Sequence, residues 1–185
     1  MTNYDMVTQN KLRPKIEEII PEYLTCDNRK RALEFIAFLR ENKIKPTWAI
    51  QNGWKATYKG KVLYYIRLPR YASHFRNLKQ SDGTSWENSW VFTPYLHNMS
   101  NYEDSVINEN LREFVLSGLH YCVPCAHRLC PKEKTIFGNK IQNLCGGDLY
   151  GGMALWYVNP NETEIGAIKS CWNLRKKQER VNKGR

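Results

Sequence analysis

The stretch that decides the fold runs from residue 48 to residue 68 and reads WAIQNGWKATYKGKVLYYIRL. Apolar and polar side chains alternate in it with a period of two, and β-branched and aromatic residues are abundant, as in half-buried strands. Turn residues interrupt it at Asn52-Gly53 and at Lys59-Gly60-Lys61. We therefore predict consecutive antiparallel strands, followed by a further strand from Trp90 that ends at Pro94.

Helical periodicity flanks these strands on both sides. The helix predicted ahead of them has apolar residues three and four positions apart, which are Ala32, Phe35, Ile36 and Leu39. A second apolar stripe spans residues 109 to 119, and a third helix is expected where Asn161 and Glu164 have the spacing of a capping box. The expected fold class is α+β, a small antiparallel meander with helices packed on one face.

The chain shows no internal repeat and no linker rich in Pro, Gly or Ser. A length of 185 residues suits one domain with its own core better than two. We predict a polar leader and short helix over residues 1–28, a single α+β domain over residues 29–174, and a basic tail over residues 175–185.

The formal net charge of +10 indicates an anionic partner. Most of this charge lies at one end of the chain. Seven basic residues and one acidic residue lie between 169 and 185, which leaves +4 for the other 168 residues. The tail is therefore the predicted contact for nucleic-acid phosphates. Its candidate side chains include Arg175, Lys176, Lys177 and Arg180. A solvated helix end, where cations complement the helix dipole, is the alternative interpretation.

Four of the six cysteines lie within 24 residues, and they are Cys122, Cys125, Cys130 and Cys145. In a Cys-x2-Cys spacing the chain can turn back so that both sulfurs reach one ion, and zinc takes four such ligands at tetrahedral corners. Because the sequence has no export signal, we expect a reducing, cytoplasmic location, where clustered cysteines favour metal or redox chemistry over disulfides. We predict a zinc-knuckle-like loop in which the four thiolates hold one Zn²⁺.

The cysteine cluster also fits chemistry other than a four-thiolate zinc site. An iron–sulfur cluster takes four thiolates as well, but the order Cys-x2-Cys-x4-Cys matches neither common ferredoxin spacing. Cys122 and Cys125 could instead form a redox dithiol, or all four could be thiols without an ion. His120 or His127 could replace one thiolate as a ligand. Cys26 and Cys171 have no local partners and are expected to be core thiols.

The chain also resembles an uncharacterised family of small bacterial proteins. The resemblance is carried by Cys122, Cys125 and Cys130, by Thr135-Ile136-Phe137-Gly138 ahead of Cys145, by the helix over Ala32 to Leu39, and by the turn Tyr58 to Lys61. It covers residues 29 to 178. The resemblance implies a shared fold and a shared metal site, and it implies no reaction.

A second functional hypothesis places a small ligand in an aromatic pocket, since ligand pockets are mostly apolar. The lining would come from tryptophans of the strand region, which are Trp48, Trp54, Trp86 and Trp90. The polar stretch from Arg70 to Asn88 would lie over the pocket as a lid. Core packing is the alternative interpretation of these aromatics. Strand alternation puts Tyr64 and Tyr65 on opposite faces, so only one of them belongs to the core.

A third hypothesis is a metal-dependent enzyme, with three thiols on the metal and the fourth position open to water. The sequence has no glycine-rich phosphate loop, no Gly-x-Ser-x-Gly and no His-Glu-x-x-His, so catalysis is disfavoured. We therefore predict a zinc-containing cytoplasmic binding protein of unassigned pathway. Its expected partner is nucleic acid or a small ligand, and no membrane contact is expected.

Overall fold

The structure, a computed structural model, describes residues 6–68, 88–97, 111–119, 133–142 and 152–181. Its contacts group the chain into two compact units. The first unit comprises Met1–Tyr95 with Trp156–Asn159, and the second comprises Leu96–Leu155 with Pro160–Arg185. The predicted α+β fold class is confirmed, while the domain boundaries after residues 28 and 174 stay predictions.

Helices and strands alternate in blocks along the chain. In chain order the described elements are α1 (Met6–Leu12), α2 (Ile16–Tyr23), α3 (Cys26–Glu41), β1 (Lys45–Ile50), β2 (Gly53–Tyr58), β3 (Lys61–Arg67), β4 (Val91–His97), α4 (Arg112–Ser117), β5 (Glu133–Ile136), β6 (Asn139–Gln142), β7 (Gly152–Ala154), β8 (Tyr157–Val158) and α5 (Glu162–Val181).

The predicted meander is present as β1 to β4, each antiparallel to the next. The strand order is β1-β2-β3-β4-β7, and β8 also pairs with β4. One row of opposed residues crosses the first four strands at Trp48, Trp54, Ile66 and Phe92. Because residues opposite one another in a ladder share a face, this row defines the inner face of the sheet in the first unit.

The prediction that Pro94 ends its strand is wrong, because β4 continues to His97. Pro94 lies opposite Tyr64 and is the last residue of β4 in the ladder with β3. A proline has no N–H to donate, so it can stop the pairing with one neighbour without ending the strand.

Helix α3 covers the inner face with the apolar stripe that the sequence predicts. Ala32, Phe35, Ile36 and Leu39 are all buried. The Phe35 ring lies at the centre of an aromatic cluster, with ring centroids 4.8 Å from Phe92, 5.9 Å from Trp90 and 6.2 Å from Tyr64. Of the two adjacent tyrosines, Tyr64 belongs to this core and Tyr65 is half-buried on the other face.

The predicted polar leader contains helix α1, which the sequence did not indicate. Its Gln9 is fully buried, and the Gln9 Nε2 donates to Asn52 Oδ1 at 2.6 Å while the Asn52 backbone N–H donates to Gln9 Oε1 at 2.8 Å. Asn52 has a φ of 52°, in the left-handed region that Asn tolerates. The two amides satisfy each other across 43 residues of sequence, and they tie α1 to the β1–β2 turn.

The second unit contains both remaining predicted helices. Helix α4 lies within the predicted stripe, with Val115 buried. The capping box of α5 is confirmed, since the Asn161 N–H donates to Glu164 Oε2 at 2.8 Å and the Glu164 N–H donates to Asn161 Oδ1 at 2.9 Å. Ile165 and Trp172 lie on the buried side of α5. None of the helices within the described ranges is long and apolar enough to cross a membrane.

Candidate metal centre and aromatic residues

The hairpin β5–β6 is the described element nearest to the cysteine cluster in sequence. Phe137 and Gly138 form its two-residue turn, and their φ values of 49° and 76° are those of a tight hairpin turn with both central residues left-handed. At the open end, Gln142 Nε2 donates to Glu133 Oε2 at 3.0 Å, and Lys140 Nζ lies 3.4 Å from Glu133 Oε1. Both contacts join a β5 side chain to a β6 side chain across the ladder.

All four predicted ligands, Cys122, Cys125, Cys130 and Cys145, lie outside the described residues. His120 and His127 also lie outside them. Within the described ranges, no group of three or more His, Cys, Asp or Glu side chains is arranged to hold a metal ion. The metal site therefore stays a prediction, and what the structure supplies is the position of the chain on either side of it.

Two paired residues at the base of the hairpin are each close in sequence to a predicted ligand. Glu133 and Gln142 oppose each other in the ladder. Cys130 precedes Glu133 by three residues, and Cys145 follows Gln142 by three residues. Three residues of extended chain span at most about 10 Å. Chain connectivity from this pair therefore permits both thiols to reach the same ion, although 15 positions separate them in the sequence.

A second pair of anchors lies at the other ends of these stretches. Leu119, just after α4, forms an antiparallel bridge with Leu155, and both side chains are buried. The chain from Leu119 to Glu133 carries three of the cysteines, and the chain from Gln142 to Leu155 carries the fourth. Each stretch therefore runs between the same two paired anchors.

The remaining cysteines differ from each other in their surroundings. Cys26, at the start of α3, is exposed, so the expectation that it is a core thiol is wrong. Cys171 is half-buried on α5, and burial raises the pKa of its thiol to about 12. At neutral pH the Cys171 sulfur is therefore a protonated, weakly reactive thiol.

Three of the four tryptophans predicted to line a pocket are described. Trp54 is fully buried and its Nε1 donates to the Pro14 carbonyl at 2.9 Å, so its polar group is used inside the core. Trp90 is buried and Trp48 is half-buried, and neither indole N–H has an acceptor within the described part of the chain. Trp86 lies outside the described residues, as does most of the predicted lid. The small-ligand site stays a prediction.

The basic tail begins inside a helix. Helix α5 continues to Val181, so the backbone of Arg175, Lys176, Lys177 and Arg180 is helical. Residues 182–185 lie outside the described residues.

One group of candidate residues was not singled out by the sequence. On the face of the first unit's sheet opposite to the inner face, Lys55 lies across from Tyr65 on β2 and β3, and Arg67 follows two residues later. The Arg67 guanidinium lies 6.0 Å from the centroid of the Trp156 ring. The signal that could have revealed this group is that no Asp or Glu occurs from residue 42 to residue 68.

The chain matched no family model, no curated protein and no solved structure. Its resemblance to an uncharacterised bacterial family accordingly stays a prediction.

Proposed function

We propose that the chain is a zinc-containing intracellular binding protein in which Cys122, Cys125, Cys130 and Cys145 hold one Zn²⁺ as thiolates. The observation that supports this proposal is the hairpin base, where the paired residues Glu133 and Gln142 each lead within three residues to one of the thiols. A zinc site needs donors from separate stretches of chain at about 2.3 Å from one ion, so their convergence is the main geometric requirement.

The donor set favours a structural role for the metal. Four thiolates complete the tetrahedron around zinc and leave no position for a water or a substrate. The site would therefore hold together the chain between α4, the hairpin and β7, and binding would be done by other surfaces. The same donor set also suits an iron–sulfur cluster, so the identity of the metal is the first quantity to measure.

Metal content and thiol reactivity together test this proposal. We expect one zinc per chain in protein purified without added metal. In that protein a chromogenic disulfide reagent should react rapidly with one thiol, Cys26, because it is exposed, whereas burial keeps the Cys171 thiol protonated and slow. A strong chelator should expose four further thiols.

The matched control is Cys26→Ser, which should abolish the rapid thiol and retain the zinc. Iron in place of zinc would contradict the proposed cofactor. A protein without metal whose clustered thiols react before any chelator is added would contradict the site itself.

A second candidate function is contact with nucleic acid through the tail. The observation that favours it is that α5 extends to Val181, which carries the cationic segment as a helix rather than as a loose end. Deleting residues 175–185 should then weaken retention on single-stranded DNA and reduce the salt slope by about 0.7 for each phosphate that is no longer neutralised. A variant with Gln in place of Arg175, Lys176 and Lys177 keeps the length of the helix and removes only charge. It should weaken retention in the same way as the deletion. Retention equal to that of the parent chain would exclude the tail.

A further inference from the structure

The sheet of the first unit has a second face, opposite to the one that α3 covers, and we refer to it as the outer face. Its residues follow from the ladder registers and from strand alternation. Its exposed or half-buried members are Lys45 and Thr47 on β1, Lys55 and Thr57 on β2, Tyr65 and Arg67 on β3, and Val158 on β8, whereas Val91 and Thr93 on β4 are buried. Trp156 belongs with them because it packs against Val91.

The charged residues described on the outer face are all cations. Residues 42 to 68 contain six basic residues and no acidic one. Neither β4 nor β8 adds an acidic residue. The described carboxylates of the first unit all lie in α2 and α3, and they are Glu17, Glu18, Glu22, Asp27, Glu34 and Glu41. Among the described residues of the first unit, the strands therefore carry cations and the helices carry all the carboxylates.

Aromatic rings alternate with these cations across the strands. Tyr65 lies directly opposite Lys55, and opposed residues in an antiparallel ladder are about 5 Å apart at Cβ. Arg67 lies two residues further along the same face, and its guanidinium is 6.0 Å from the Trp156 ring centroid. The order across the face is therefore Lys55, Tyr65, Arg67 and Trp156. Tyr65, Arg67 and Trp156 are all half-buried, so the two rings and the guanidinium are each partly accessible.

This alternation matches the chemistry of a single nucleic-acid strand. Proteins that bind such strands combine cations along the phosphates with aromatic side chains on which successive bases stack. A sheet that presents aromatic residues on one face is a known way to do this with RNA. An acidic peptide would use the cations but would have no use for the rings, and a duplex hides the base faces that the rings would contact.

An ordinary solvated sheet face would look different. Antiparallel sheets commonly leave one face to water, and soluble protein surfaces usually intersperse charges of both signs. Here the described strands of the first unit contain no carboxylate, although six carboxylates lie nearby in sequence in α2 and α3. A strand surface that has cations and no carboxylates among its described residues is suited to binding a polyanion.

We propose that the outer face binds single-stranded nucleic acid, with Lys45, Lys55 and Arg67 at phosphates and Tyr65 and Trp156 stacked on bases. The proposal does not depend on the zinc site or on the tail. It places a binding surface on the first unit, although the net charge of the chain outside residues 169–185 is only +4.

Fluorescence anisotropy with a labelled short oligothymidylate tests the stacking contact on the full-length chain. The variant Tyr65→Leu keeps an apolar side chain but removes the ring, and it should weaken binding by about 5- to 150-fold, the range measured when one stacked base loses its aromatic partner. The control is Tyr58→Leu, a half-buried tyrosine at the end of β2 that is not part of the outer face. It should bind as the parent does. Circular dichroism and thermal melting establish that both variants are folded.

A second pair of variants tests the cations. Lys55→Gln should lower the slope of log affinity against log salt by about 0.7. Lys30→Gln removes the same charge from the exposed side of α3, so it should leave the slope unchanged.

Two results would overturn the proposal. One is that Tyr65→Leu and Tyr58→Leu bind equally well, or that oligoglutamate competes as well as the oligonucleotide does, because bases would then not be recognised. The other is that deletion of residues 175–185 abolishes binding while the outer-face variants have no effect. Chelation of the metal provides a separate arm: affinity that survives the loss of zinc supports an independent surface, and affinity that disappears with the zinc contradicts it.

Discussion

Replacing Phe35 by alanine is expected to lower the free energy of unfolding by about 3–5 kcal/mol. The Phe35 side chain is fully buried, and it makes ring contacts with Tyr64, Trp90 and Phe92 on the inner face of the sheet. The substitution removes the apolar ring and leaves a cavity that the rings on two strands cannot fill without moving. Since whole domains are stable by only about 5–15 kcal/mol, this decrease would be a large part of the total.

Urea denaturation followed by tryptophan fluorescence measures this effect, because Trp90 lies 5.9 Å from Phe35 and reports on the same cluster. The matched control is Phe38→Ala, a change of the same side chain one turn later on α3. Phe38 is half-buried, so its substitution should cost clearly less. Equal costs at the two positions would mean that the cluster around Phe35 does not anchor α3 to the sheet.

The elements that the sequence predicted well are those that depend on local periodicity. The strands around residues 48–68 alternate with a period of two, and α3 repeats its apolar residues every three or four positions. The start of α5 was also predictable, because Asn161 and Glu164 form a contact within one helical turn. In each case the residues that determine the structure are close together in the chain.

The features that the sequence did not reveal depend on residues far apart. Gln9 looks like a surface residue until Asn52, 43 positions away, accepts and donates its hydrogen bonds. Likewise Trp156 joins the outer face only because β8 pairs with β4, which places Tyr157 opposite Phe92. Periodicity predicts that a residue lies on a face, but strand order decides what its neighbours on that face are.

The net charge of the chain does not reveal how positive and negative residues are distributed between its strands and helices. The chain outside residues 169–185 has a net charge of only +4, which made nucleic-acid binding by the body look weak. That sum conceals that the described carboxylates of the first unit lie on helices, while the charged residues of its strands are all cations. Binding to a polyanion depends on the local field, so the separation between elements matters more than the sum.

The metal cluster is a prediction from cysteine spacing, and the described hairpin beside it adds one constraint that spacing alone lacks. Cys-x2-Cys shows that Cys122 and Cys125 can share an ion, but it does not select the third and fourth ligands. The β5–β6 register makes Cys130 and Cys145 equidistant in sequence from one paired position in the ladder. That symmetry is the reason to prefer these two thiols over Cys26 and Cys171 as the second pair.

The variant Cys145→Ser should lose its zinc and most of the stability of the second unit. Structural zinc sites in small domains contribute apparent binding free energies of about 10–16 kcal/mol at neutral pH, which is comparable to the total stability of a domain. A serine hydroxyl is a poor replacement for a thiolate, because it stays protonated at neutral pH. Thermal denaturation should therefore show a much lower melting temperature for Cys145→Ser than for the parent chain.

The comparison with Cys26→Ser separates the removal of a ligand from the removal of any thiol. Cys26 is exposed at the start of α3, so its substitution should leave the melting temperature unchanged. A chelator should lower the melting temperature of the parent and of Cys26→Ser, and it should have no further effect on Cys145→Ser, which has no metal left to lose. If the chelator lowers the stability of Cys145→Ser as much as that of the parent, then Cys145 is not a ligand and the hairpin base does not adjoin the metal. If it changes none of the three, the thiols hold no ion that the fold requires.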